Sequence, residues 1–233
     1  MKQIPFTLMY HSVGVIGDDP HLLTVTPERL DAQLSALRAQ GLRGMSMRDL
    51  LRSGARGVGL TFDDGYTDFV DIAVPILRRH GCTATVFALA GRLGGHNGWD
   101  ADGDRKRLMT ADELRAAVDE GMEVGSHGLM HQRLPQAEDG ELHQEVHDSR
   151  IVLGDIIGHT VEGFAYPYGA FGRREVAAVA DAGYSYACAV ELAGSGERAG
   201  PHALPRSYAG QRDGGLRLLA KRARHRALLA VAR

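Results

Sequence analysis

The chain has 233 residues, of which 44% are hydrophobic and 24% charged, and its formal net charge is -2. That suits one globular domain whose core needs no disulfide or metal staple, and it excludes a basic nucleic-acid-binding surface as the organising feature. No run of eighteen apolar residues offers a membrane span, and the start, Met1 to His11, is too short and too interrupted by Pro5 and His11 for a secretion signal, so the expected address is cytoplasmic.

Ile4 to Tyr10 reads as a strand ending at His11. Thr26 begins a helix that runs to about Gln40, with Pro27 at its first position and Gly41 as its stop. Val58 to Phe62 is a strand, followed by the turn Asp63-Asp64-Gly65. A helix from Asp68 to His80 closes on Gly81, and Ala84 to Leu89 is the next strand. Cys82 and Cys188, both in alanine-rich surroundings, read as buried reduced thiols. Residues 91–104 are rich in glycine and charge and form a surface loop. Thr110 and Glu113 make a capping box on a helix that ends at Gly121. Glu123 to Ser126 is a strand leading into His127, and Glu138 to Ile157 is a long helix. Val161 to Tyr166 and Tyr184 to Val190 are strands around a helix from Arg173 to Ala182.

Strands and helices in alternation predict a parallel sheet covered by helices, and about seven strands in this length favour a closed or nearly closed barrel. Residues 1–210 form that domain. Residues 211–233 form a basic amphipathic helix or tail, with Leu216, Leu219, Ala220, Ala223, Ala227, Leu228 and Val231 at helical spacing among arginines and Lys221. Such a helix packs on the barrel or makes a peripheral contact with an anionic membrane.

His11, Asp63-Asp64, His127 and Tyr166-Pro167-Tyr168 all follow predicted strands. In a parallel barrel those strand ends share one face, where active sites are built. Adjacent carboxylates at a strand end can divide two roles, one binding a metal and the other acting as a base; an Asp-Gly turn is the plainer reading. His127 and His131, four apart, lie on one face of a helical turn and can share an ion. Two imidazoles and a carboxylate make a three-ligand site with room for water and substrate. His143 and His147 have the same spacing but sit inside the long helix and read as a solvated face. Trp99 is a candidate for contact with a sugar ring.

Thr61-Phe62-Asp63-Asp64-Gly65, Ser126-His127-Gly128-Leu129-Met130-His131 with Leu134, and Phe164-Ala165-Tyr166-Pro167-Tyr168-Gly169 resemble, in order and spacing, three motifs of the polysaccharide deacetylases, the NodB-homology or carbohydrate esterase four family. The resemblance spans roughly residues 4 to 207. It implies a distorted (β/α)7 barrel and a metal-dependent hydrolase that removes an N-acetyl group from an amino sugar, oligosaccharide or sugar conjugate. Asp64, His127 and His131 would hold the metal, most often zinc, with cobalt or nickel as alternatives. Asp63 would be the general base and the Tyr168 N–H an oxyanion donor. Two positions depart from the pattern. Ala165 stands where an arginine usually orients the aspartate, and Arg206 is the candidate substitute. The C-terminal leucine-histidine motif is missing, and Tyr10-His11 resembles the circularly permuted branch of poly-N-acetylglucosamine deacetylases, whose acid comes from the first strand; His202 is a second candidate. Competing readings are another linear or cyclic amide hydrolase and a non-catalytic carbohydrate-binding domain.

Overall fold

The structure is a computed structural model that describes residues 4–190 and 200–231. Its first strand, β1 (Thr7–Tyr10), is buried along its whole length. A small two-stranded sheet follows, β2 (Ser12–Val13) and β3 (Thr24–Val25). Thr26 caps α1 (Pro27–Ala39) by accepting from the Arg29 N–H, with proline in the first turn where its missing donor is harmless. β4 (Arg43–Met45) and α2 (Met47–Ser53) lead to β5 (Gly57–Phe62). A π turn at Phe69–Ala73 runs into α3 (Val74–Arg79). Pro75 cannot donate to the preceding turn, which widens so that the Val74 N–H reaches the Phe69 carbonyl. β6 (Thr85–Ala88), α4 (Ala111–Asp119) and β7 (Glu123–Ser126) come next, the helix opened by the Thr110–Glu113 capping box. The long helix is continuous but divided: α5 (Asp139–His143), a π turn at Gln144–Asp148, and α6 (Ser149–Ile157). β8 (Gly163–Ala165), α7 (Arg173–Asp181), β9 (Tyr186–Val190), β10 (Leu204–Tyr208) and α8 (Gly215–Val231) complete the order.

Every strand pair in the main sheet is parallel. β1 pairs with β10 on one side and β5 on the other, so seven strands close in the order β1-β10-β9-β8-β7-β6-β5. Closure removes the sheet edges and buries both faces, and short, almost continuously apolar strands are what such burial requires. The eighth strand, β4, fills the lower seam between β5 and β6: Gly44 pairs with Val58, and its carbonyl accepts from the Thr83 N–H. Arg43-Gly44-Met45 offers no apolar run, so the sequence signals neither this strand nor α2.

The larger core lies between barrel and helices and includes Leu8, Leu30, Leu34, Leu60, Phe62, Phe69, Val124, Leu153 and Phe164. A smaller core, Met47, Phe87, Ala165, Tyr186, Cys188 and Leu204, forms a separate cluster on the opposite pleat of the strands. Buried polar groups join that pleat. Glu123 accepts from Thr85 Oγ1 at 2.6 Å, Tyr186 Oη at 2.9 Å and the Arg48 N–H at 2.9 Å. Cys82 and Cys188 are buried free thiols. The basic C-terminal segment packs against α1, burying Leu218 and His225, whose ring meets Phe6. Among the described residues no helix is long and apolar enough to cross a membrane.

Candidate active site

β5 delivers Asp63 and Asp64 to the carboxyl end of the barrel, both buried. Asp64 has φ 72°, a left-handed conformation unusual for a side chain other than glycine. That twist separates the directions of two neighbouring carboxylates. Asp64 Oδ1 lies 3.4 Å from His127 Nε2 and 3.4 Å from His131 Nε2. These separations are long for hydrogen bonds, but a tetrahedral ion with bonds of about 2.0–2.1 Å spaces its ligand atoms about 3.4 Å apart. The three donor atoms lie within 4.8 Å of one another, and all three side chains are buried. His127 Nδ1 is 2.8 Å from the Ala165 carbonyl, which can only accept, so Nδ1 donates there and Nε2 is the atom turned toward Asp64. The donor set and its spacing therefore fit a divalent cation.

The two histidines are not on a helical turn, contrary to the expectation from their spacing. Residues 127–131 form an irregular loop in which Gly128 has φ 89° and His131 φ 62°. The loop is held from outside by Glu145, on the π turn of the long helix. Its carboxylate accepts from the Leu129 N–H at 2.8 Å and the Met130 N–H at 3.0 Å. A Cβ at position 128 would meet Glu145 Oε2 at 2.5 Å, so glycine is required there for approach as well as conformation. Nothing in the local pattern marks Glu145, because its partners are loop amides 15 and 16 residues away.

Asp63 turns the other way. Arg206, on β10 and almost fully buried, grips it with two hydrogen bonds, Nη1 to Oδ1 at 2.6 Å and Nη2 to Oδ2 at 2.8 Å. The same guanidinium donates to Thr61 Oγ1 at 3.1 Å and lies over the Phe87 ring. Desolvation is the largest influence on Asp63 and pushes its pKa up, but Arg206 and then His127 outweigh it, leaving the carboxyl below its ordinary range. Burial likewise pushes Asp64 up, and His127, His131 and His11 together bring it well down. His131 is lowered to about 3, chiefly by burial, and stays neutral.

His11 follows β1. Tyr10 pairs with Phe62, and the Tyr10 carbonyl accepts from the Asp63 N–H at 3.0 Å, so His11 emerges beside the aspartates. Its Nδ1 is buried with no hydrogen-bond partner among the described residues. Tyr168, after β8, has φ 58° and packs its half-exposed ring 4.4 Å from His131. The Trp99 ring also lies 4.5 Å from His131. Among the described residues, three of the four non-glycine residues with positive φ, Asp64, His131 and Tyr168, thus belong to this one site, the strain being held in place by the barrel beneath it. His202 is turned away, its Nε2 bonded to the Tyr184 carbonyl at 2.8 Å. His143 and His147 stack on each other on the long helix, with Asp148 beside them, in a separate group away from the strand ends.

The profile of the polysaccharide deacetylase family matches residues 52–187. YxkH of Bacillus subtilis, which carries a polysaccharide deacetylase name, is 24% identical over 206 residues, 85% of this chain and 69% of that protein. The poly-beta-1,6-N-acetyl-D-glucosamine N-deacetylase of Staphylococcus aureus is 21% identical over 183 residues, 72% of this chain but 61% of its own length. Among solved structures, the Streptococcus pyogenes deacetylase PplD in complex with acetate superimposes with a TM-score of 0.79 at 22% identity, over 95% of this chain and 99% of that one. IcaB from Ammonifex degensii gives 0.76 at 20% identity, over 93% and 95%. These structures share the fold; the family profile covers more than half of the chain, and the chain belongs to the polysaccharide deacetylase family.

Proposed function

We propose that this chain is a divalent-metal-dependent hydrolase that removes the N-acetyl group from an acetylated amino sugar, within an oligosaccharide or a sugar conjugate. The observation that carries this reading is the division of labour at one strand end. Asp64 faces two buried imidazoles, while its neighbour Asp63 is ionised, clamped by Arg206 and left beside them. Family membership and the name of the staphylococcal relative support the acetamido sugar as the substrate class.

A divalent cation held by Asp64, His127 and His131, zinc or with the same donors cobalt or nickel, would supply Lewis acidity toward the acetyl carbonyl and raise the acidity of water. Asp63 accepts the proton of the attacking water, and the bidentate Arg206 fixes the carboxylate for that transfer. The Tyr168 N–H donates to the oxygen on which charge develops. His11 gives a proton to the departing amine, the general-acid role an imidazole beside the reacting centre can fill.

Acetate release from acetylated chito-oligosaccharides and small acetamido sugars, with and without a chelator, tests this. Chelation should abolish release. Asp63→Asn should lose turnover yet keep its metal, whereas Asp64→Ala should lose the metal. Undiminished turnover in chelator, or full metal occupancy in Asp64→Ala, would overturn the assignment.

A further inference from the structure

The last helix, α8, carries two apolar faces. At about 100° per residue, Leu218 and His225 fall on one side of it, and these are the residues buried against the rest of the fold. Leu216, Leu219, Ala220, Ala223 and Ala227, recurring every three or four residues, fall on the opposite side and are exposed. Leu216 is 83% exposed and Leu219 41%. The stripe that the sequence marks as apolar is therefore the outer face of the helix. Exposed arginines border it, Arg217 and Arg224 along one edge and Arg226 along the other. α8 contains no acidic residue. Behind the Arg226 edge, Arg222 and Arg226 line, together with Arg56, an open cavity of about 300 Å³ walled by Ile4, Phe6 and Leu51, and no acidic side chain lines it.

Charge decides what covers such a face. A second copy of the chain would set two helices rich in arginine and free of acid against each other, and like charges repel. An anionic lipid surface offers both things the helix calls for, an apolar layer for the stripe and phosphates for its borders. Arginines at the edges of an apolar face suit that boundary, because their stems lie along the apolar layer while the guanidiniums reach the headgroups. The cavity extends the same match, since guanidiniums around an apolar floor can take a lipid phosphate by paired hydrogen bonds. Lys221 takes no part: its Nζ turns inward, 2.7 Å from Asp213 and 2.6 Å from the Tyr208 carbonyl.

We propose that α8 seats the chain on an anionic lipid bilayer. The helix lies in the interface with its Leu216–Ala227 stripe toward the acyl layer and Arg217, Arg222 and Arg226 on the headgroup phosphates. This stands apart from the hydrolase reading, because no residue of the candidate metal site takes part in it.

Co-sedimentation of the full chain with vesicles tests this. Vesicles of phosphatidylcholine with about one third phosphatidylglycerol should bind it at least about tenfold more tightly than vesicles of phosphatidylcholine alone, since each basic residue at an anionic surface contributes about fivefold. About 1 M salt, which shortens the Debye length to about 3 Å, should remove that preference. Leu216→Ser/Leu219→Ser should lower the affinity for the anionic vesicles about tenfold through lost apolar burial. Arg217→Gln/Arg226→Gln should lower it about 25-fold, fivefold for each arginine. All four positions are exposed, so both variants should keep the circular dichroism spectrum and Tm of the wild type. Equal binding to the two kinds of vesicle would overturn the proposal, and so would an affinity that either variant leaves unchanged. A wild type that is dimeric without lipid, with a leucine variant that is monomeric, would give the face to a second copy and overturn it as well.

Discussion

Asp63 and Asp64 are adjacent and equally buried, but their partners differ. One carboxylate is satisfied by a permanent cation, Arg206, and the other faces the imidazoles of His127 and His131. A buried carboxylate with a bidentate guanidinium is tolerated only while both partners remain. Arg206→Ala should therefore destabilise the fold by about 3–5 kcal/mol, read from urea unfolding, because it strands a buried anion. Asp63→Asn added to Arg206→Ala should recover much of that loss; a strictly additive double variant would show that the pair is not coupled. Arg206 also touches the barrel wall at Thr61 and Phe87, so the pair belongs to the core as well.

Whole elements hold the site from outside. The π turn inside the long helix presents Glu145 to the loop that carries His127 and His131. Removing such a support typically weakens metal binding by about 10–100-fold. Glu145→Ala should do so in a chelator-competition assay, with Glu145→Gln intermediate because one oxygen can still accept. On the opposite flank, Asp68 accepts from Ser12 Oγ at 2.5 Å and the Val13 N–H at 3.1 Å, while Lys106 Nζ donates to Ser12 and Thr24. This ties the segment just after His11 to the start of the π turn before α3. Burial is the largest influence on Asp68 and raises it to about 6, despite the bonds from Ser12 and Val13. Since its unfolded pKa is near 3.9, the fold favours the protonated form: the stability it contributes is complete below about pH 4 and lost as pH rises through about 6. Asp68→Asn cannot ionise and should not show that loss. The Tm difference between Asp68→Asn and the wild type should shift in favour of the variant between about pH 4 and pH 7, and a constant difference would exclude Asp68 as the titrating group.

At the scale of the molecule, barrel closure brings the site together. β1 pairs with both β5 and β10, which delivers His11 and Arg206 to the two sides of Asp63 from opposite ends of the chain. A ligand that binds only the closed barrel stabilises the whole of it, by about 2.7 kcal/mol at a hundred times its Kd. Zinc addition should raise the Tm of the wild type, and of Asp63→Asn, but not of Asp64→Ala; a rise in Asp64→Ala would place the ion elsewhere, for instance at His143 and His147. The sequence by itself determined what depends on near neighbours. Helix caps, short apolar strands, the barrel class and the aspartate and histidine motifs all express local backbone chemistry. Even Arg206 could be named only because Ala165 left the family pattern incomplete. Tertiary structure decided the rest. The eighth strand borrows its partners from β5, the histidine loop takes its shape from Glu145, and Arg206 meets Asp63 across 143 residues. Such contacts leave no periodicity in the chain, because the separation that makes them is set by closure of the barrel and not by the spacing of residues along it.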